Sequence, residues 1–113
     1  DFKEQEPGTD AEVLAFCQGT YGVTFPLAAK TPVSGAARHP LYAALIAAKP
    51  AAEGEGPWRE KLAGYGITAN PAPEVQWNFE KFHFNADGEV VNRFRPRTEP
   101  TDPTVVAAIE SVL

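Results

Sequence analysis

Cys17 is the one thiol in the chain. A lone thiol can be oxidised or exchange with an external disulfide, but it cannot close an internal one. Gln5, Trp77 and Asn78 bring a second kind of chemistry. Their amide and indole N–H groups donate hydrogen bonds, and none of the three titrates. Each residue also has a plainer reading. A Gln in an N-terminal loop is solvated, a Trp ahead of a strand packs, and an Asn caps or turns the chain. Cys17 on a helical stripe acts as a small buried hydrophobe.

Other groups point to less. His39 and His83 have neither metal-ligand spacing nor carboxylate neighbours. They read as structural or surface residues, so no metal and no cofactor is expected. Gly54-x-Gly56 and Gly64-x-Gly66 lack the strand-to-helix setting of a phosphate loop. Arg93, Arg95 and Arg97 alternate along an extended segment and would share one face. That face reads as solvated, relieving a net-acidic chain. The alternative is a receptor for the carboxylates of a tripeptide thiol or for an acidic patch on a partner.

These side chains need elements to position them. Thr9-Asp10-Ala11-Glu12 is a capping box, and the helix it opens places Val13, Phe16, Cys17 and Thr20 on one stripe. Gly22 ends that helix, Val23–Phe25 is extended, and Ser34-Gly35 makes a turn. A second helix starts near Pro40, with Leu41, Leu45 and Ala48 along one side. Residues 51–73, rich in Pro, Gly, Ala and Glu, read as an inserted surface excursion with a short helical piece at Trp58–Ala63. Phe79–Phe84 alternates, Asn85–Gly88 turns, and Glu89–Phe94 returns, which predicts a β-hairpin. A last helix is capped by Thr101 or Asp102, starts at Pro103 and carries the stripe Val105, Ile109 and Val112.

The bulk properties narrow the function classes. The chain has 113 residues, the length of one small domain. Its apolar fraction is 43%, but 18 of those residues are Ala, so the core is thin. Nine Gly and eleven Pro make it loop-rich. A net charge of −5 and a pI near 4.9 argue against nucleic acid as a partner. They also give no attraction to an anionic membrane. No apolar stretch approaches the ~18 residues of a spanning helix, and the N-terminus has no signal-peptide pattern, so a cytoplasmic location is expected. The chain contains no Met, which suggests a processed chain or a piece of a longer one. One hairpin and three short helices bury little, and a two-stranded hairpin alone is marginal in water. Further strands are expected ahead of Asp1.

Three stretches then carry a resemblance. They are Phe2-Lys3-Glu4-Gln5-Glu6-Pro7-Gly8, Phe16-Cys17-Gln18-Gly19-Thr20-Tyr21-Gly22-Val23-Thr24-Phe25-Pro26, and Trp77-Asn78-Phe79-Glu80-Lys81-Phe82 before the Asp87-Gly88 turn. Together, in this order and with His39-Pro40-Leu41-Tyr42, they resemble the glutathione peroxidase family from Phe2 to Leu113. The 51–73 excursion matches least.

The resemblance implies an α/β, thioredoxin-like fold. Residues 1–113 would be the C-terminal part of one such domain, with the hairpin and flanking helices present and the first strands absent. The attacking Cys or selenocysteine would precede Asp1. The implied activity is reduction of hydrogen peroxide and organic hydroperoxides. Gln5, Trp77 and Asn78 match the family's donor residues around the nucleophile. Cys17 matches a second Cys of many non-animal members, which resolves the oxidised nucleophile as a disulfide. The reductant would be thioredoxin or glutathione, while the oligomeric state is not set by the sequence. Two rival expectations stand beside this one: a non-catalytic remnant or interaction module, and a redox sensor that relays oxidation through Cys17.

Overall fold

The computed structural model describes residues 2–54 and 58–113. In chain order its elements are α1 (Asp10–Tyr21), α2 (Pro40–Ala48), α3 (Trp58–Gly64), β1 (Lys81–Phe84), β2 (Val90–Phe94) and α4 (Pro103–Glu110). The chain divides into two compact units, Asp1–Pro32 and Val33–Leu113.

In the first unit the capping box forms. The Thr9 hydroxyl accepts the Glu12 N–H at 3.2 Å, and the Glu12 carboxylate accepts the Thr9 N–H at 2.8 Å. Thr9, through its backbone N–H first and its side chain second, holds the Glu12 carboxyl below its ordinary value of 4.5. Gly22 ends α1 in the left-handed region, at φ 62°, where a residue without Cβ meets no penalty. The predicted buried stripe does not materialise. Val13 and Cys17 are half-buried, while Phe16 and Thr20 are exposed. A helical period specifies a face, but burial requires a second element, and α1 is the only helix or strand among the described residues of this unit. Phe16 instead meets Tyr21 edge to face, with centroids 5.7 Å apart.

The second unit holds the core: Leu45, Ile46, Ala69, Val75, Phe94 and Val105. His39 caps α2, its Nδ1 accepting the Leu41 N–H at 3.1 Å. The helix buries Leu45 and Ile46, whereas Leu41 remains exposed. Asp102 caps α4 by accepting the Thr104 N–H at 2.8 Å, and of the expected stripe only Val105 is fully buried.

β1 and β2 pair antiparallel, with Lys81 opposite Phe94, Phe82 opposite Arg93 and His83 opposite Asn92. The register slips between His83 and Phe84, a bulge next to the turn. Asn85 makes that turn, its side-chain oxygen accepting the N–H groups of Asp87 (3.0 Å) and Glu89 (2.9 Å). β1 starts two residues later than the alternation of phenylalanines suggests. Phe79 has φ 66° and is exposed, so it belongs to a turn and not to a strand.

The 51–73 excursion pairs its backbone with the sheet edge at Glu53. Glu53 donates its N–H to the Arg93 carbonyl (2.6 Å) and accepts the Arg95 N–H (2.9 Å), a parallel bridge beside β2. Further on, the Arg59 guanidinium donates to the carbonyls of Ala69 and Asn70. Residues 55–57, with part of the Gly54-x-Gly56 pair, lie outside the described residues. No helix among the described residues is long and apolar enough to cross a membrane.

Candidate functional site

Gln5 follows a tight turn. Its N–H reaches the Phe2 carbonyl at 3.4 Å, and the two residues between, Lys3 and Glu4, both have φ in the left-handed region (59° and 53°). Non-glycine residues there cost about 1 kcal/mol or more each, so the local contacts must hold the loop. Lys30 supplies them. Its ammonium donates to the carbonyls of Glu6 and Gly8, and its backbone N–H donates to Asp10 at 2.9 Å. The Gln5-Glu6-Pro7-Gly8 loop is thereby tied to the start of α1.

This arrangement brings Gln5 and Cys17 to one site within the first unit. Both line a cavity of about 470 Å³ together with Val13 and Phe16. Cys17 also borders a second cavity, of about 370 Å³, with Leu14, Leu27 and Lys30. The thiol is half-buried and unbridged. Near the end of α1, its backbone carbonyl accepts the N–H of Val23 at 3.3 Å.

Trp77 and Asn78 come together in the second unit. They sit in the turn that precedes β1, both half-buried. With Leu62, Tyr65, Phe79 and Arg97 they line a cavity of about 560 Å³. The turn has a strained member, Phe79, and a buried base. Gln76 and Glu80 flank Trp77–Phe79, and Glu80 accepts the Gln76 N–H at 2.7 Å through Oε2. Gln76 is itself buried, and its side-chain oxygen is a buried acceptor without a hydrogen-bond partner among the described residues.

Arg93 is a residue whose role the sequence concealed. The three alternating arginines do not share a solvated face. Arg93 is 0% exposed, Arg95 is half-buried and Arg97 is exposed. Arg93 Nε donates to Glu80 Oε1 at 2.6 Å, with side chains 0% and 1% exposed. Its Nη1 donates to the carbonyls of Lys49 and Pro73, and Nη2 to that of Glu74, each at 2.8 Å. The guanidinium lies 5.1 Å from the Phe82 ring centroid. A buried charge is tolerable when it is paired and its donors are used, and this one is. The register that sets Arg93 opposite Phe82 includes the slip between His83 and Phe84, which the sequence did not announce.

His83 Nδ1 lies 3.1 Å from Asn92 Oδ1, and His39 caps α2. Among the described residues no cluster of three or more His, Cys, Asp or Glu could hold a metal ion.

Chemically, the first unit presents an amide and a thiol along one cavity, and the second presents an indole and an amide beside a cavity with a cationic rim. Comparison with known proteins gives this arrangement a lineage. The glutathione peroxidase family model matches residues 1–46. The thioredoxin/glutathione peroxidase of Escherichia coli (strain K12) is 43% identical over 114 residues, 99% of this chain and 62% of that protein. The hydroperoxy fatty acid reductase of Synechocystis sp. is 38% identical over 112 residues, 99% of this chain and 58% of that protein. A glutathione peroxidase of Lactococcus lactis subsp. cremoris is 39% identical over 101 residues, 89% of this chain and 53% of that protein. The chain thus spans 53% to 62% of the length of these relatives. With the motifs in order along nearly its whole length, the chain belongs to the glutathione peroxidase family.

Proposed function

We propose that the protein to which this chain belongs is a thiol peroxidase that reduces hydrogen peroxide and organic hydroperoxides. In this reading the chain forms the later part of a thioredoxin-like domain. The attacking thiolate or selenolate lies ahead of Asp1. The observation that carries the proposal is the Trp77–Asn78 pair, displayed on a turn with a buried base beside an open cavity, in a chain of this family.

The chemistry proceeds in three steps. The nucleophile attacks one peroxide oxygen, the O–O bond breaks, and the departing alkoxide or hydroxide takes a proton to leave as alcohol or water. Sulfur or selenium is oxidised by two electrons to the sulfenic or selenenic acid. Gln5, Trp77 and Asn78 serve as N–H donors that stabilise the anionic nucleophile and the charge growing on oxygen. The Cys17 thiolate then attacks the oxidised atom, water leaves, and a disulfide or selenenyl sulfide forms. A reduced thioredoxin opens it by exchange and is itself oxidised to its disulfide. The relative named a thioredoxin/glutathione peroxidase supports thioredoxin or glutathione as the electron donor. The lone free Cys on a helix supports thioredoxin of the two.

The test uses protein from the full reading frame and follows peroxide loss with reduced thioredoxin. Turnover is expected, and Cys17→Ser should abolish it while leaving the first oxidation intact. Undiminished thioredoxin-driven turnover in Cys17→Ser removes the resolving role. Absence of peroxide consumption by the wild type removes the peroxidase reading.

A further inference from the structure

We propose that Glu80 is a positioning residue for the Trp77–Asn78 turn, acting as a two-sided clamp. One carboxylate oxygen accepts the Gln76 N–H (2.7 Å), and the other accepts Arg93 Nε (2.6 Å). The inference rests on the reading of Trp77 and Asn78 as donors to a peroxide site, and it adds two residues that do not touch that site.

The geometry carries the argument. Gln76 and Glu80 bracket the three residues Trp77, Asn78 and Phe79. Closing the bracket through a side chain shortens the span and forces the backbone over. Phe79 absorbs the bend at φ 66° with its ring exposed, so packing of that ring does not hold the conformation. The holding groups lie underneath, where Gln76 is 7% exposed and the Glu80 and Arg93 side chains are 1% and 0% exposed. Arg93 in turn is anchored to the carbonyls of Lys49, Pro73 and Glu74. The turn is therefore referenced to two separate stretches of backbone, at Lys49 and at Pro73–Glu74. Rigid support of this kind is what a donor pair needs, because a misplacement near 1 Å can cost about a hundredfold in rate.

Glutamine at position 80 tests the clamp at constant size. Its single amide oxygen can serve Gln76 or Arg93 but not both, and its NH₂ then faces a donor. In full-frame protein with Trp58, and any tryptophan outside these 113 residues, replaced by Phe, Trp77 is the one remaining indole. Glu80→Gln should shift Trp77 emission to the red and increase its quenching by acrylamide. Val105→Ala, a destabilising change elsewhere in the core, should leave both unmoved. In full-frame protein, Glu80→Gln should lower the rate constant for oxidation by peroxide about tenfold or more. The rate at which thioredoxin reduces the oxidised enzyme should not change.

Unchanged Trp77 emission in Glu80→Gln, or an equal shift in Val105→Ala, overturns the clamp. A slow Asn78→Ala beside a fast Glu80→Gln also overturns it and leaves the peroxidase reading standing. A fast Asn78→Ala defeats the donor role of Asn78 on which the clamp's rate effect rests, while absence of peroxide consumption by the wild type defeats the peroxidase reading; in both cases Trp77 emission still decides whether Glu80 holds the turn. Should Glu80→Gln fail to fold, wild-type hydrogen exchange decides. The Gln76 amide should exchange at least a hundredfold more slowly than a free peptide, and exchange at the free rate overturns the proposal.

Discussion

The Cys17 carbonyl accepts the Val23 N–H at 3.3 Å, so the residue with the thiol is also part of the closure of α1. The Gly22 N–H closes the same end onto Gln18 at 3.1 Å. We propose that the Cys17 sulfur reaches a bonding distance near 2 Å from its partner atom as this end of the helix opens. Loosening the last turn of α1 is therefore part of the proposed resolving step.

Gly19, inside α1 two residues after Cys17, gives a way to test that loosening. A Cβ there would meet nothing within 4 Å, so alanine fits without strain and stabilises the helix by about 0.5–1 kcal/mol. Gly19→Ala should raise the stability of α1 and slow formation of the Cys17 bond by a few-fold. The first oxidation by peroxide should proceed at the wild-type rate. Stopped-flow comparison of the two phases measures both effects, and an unchanged second phase argues that the helix opens elsewhere.

Removing Arg93 should be among the most damaging single changes in the second unit. Arg93→Met leaves the Glu80 carboxylate buried without its partner and three carbonyls without their donor. Breaking a buried pair from one side costs about 3–5 kcal/mol. Arg97→Met, at an exposed position, should cost less than about 0.5 kcal/mol. Urea midpoints of the two variants give the comparison, and equal midpoints would show that the buried pair contributes nothing.

The α2 face gives a second stability contrast. Leu45 is 5% exposed and Leu41 is 51% exposed, one turn apart on the same helix. Leu45→Ala should cost about 2–5 kcal/mol through lost burial and the cavity left behind. Leu41→Ala should change stability little. Thermal unfolding of both variants checks the assignment, and comparable losses would mean that Leu41 is covered in solution.

Acid should weaken both helix caps. The carboxyls of Glu12 and Asp102 are held below their ordinary values of 4.5 and 3.8, the first by Thr9 and the second by the Thr104 side chain and N–H. A group depressed on folding contributes stability that is fully present above its unfolded pKa and lost as pH falls through the folded one. Helix content should hold above the ordinary carboxyl values and decline below them. Glu12→Gln should flatten the Glu12 part of that decline. Circular dichroism titration of wild type and variant tests the sign, and an identical acid limb would remove Glu12 from the account.

What the sequence made legible was local. The Thr9 capping box, the Asp102 cap and the Asn85–Gly88 turn each depend on residues within four positions of one another, and each formed. The stripe on α1 was a true face, but periodicity says nothing about what covers it, and Phe16 is exposed. Arg93 misled for a related reason. Alternation assumes one dry face and one wet one, yet Arg93 and Phe94 are adjacent and both buried. Gln5, Trp77 and Asn78 stood out only through the motifs around them, because an amide or an indole has no role until a nucleophile is placed beside it.

The most direct test is the rate of the first oxidation, measured in full-frame protein with a single excess of hydrogen peroxide before any reductant is added. Asn78→Ala removes one amide NH₂ group and nothing that titrates. The account predicts that oxidation slows by about ten- to a thousandfold while the fold survives. Oxidation of Asn78→Ala at the wild-type rate would contradict the claim that the Trp77–Asn78 turn serves peroxide reduction.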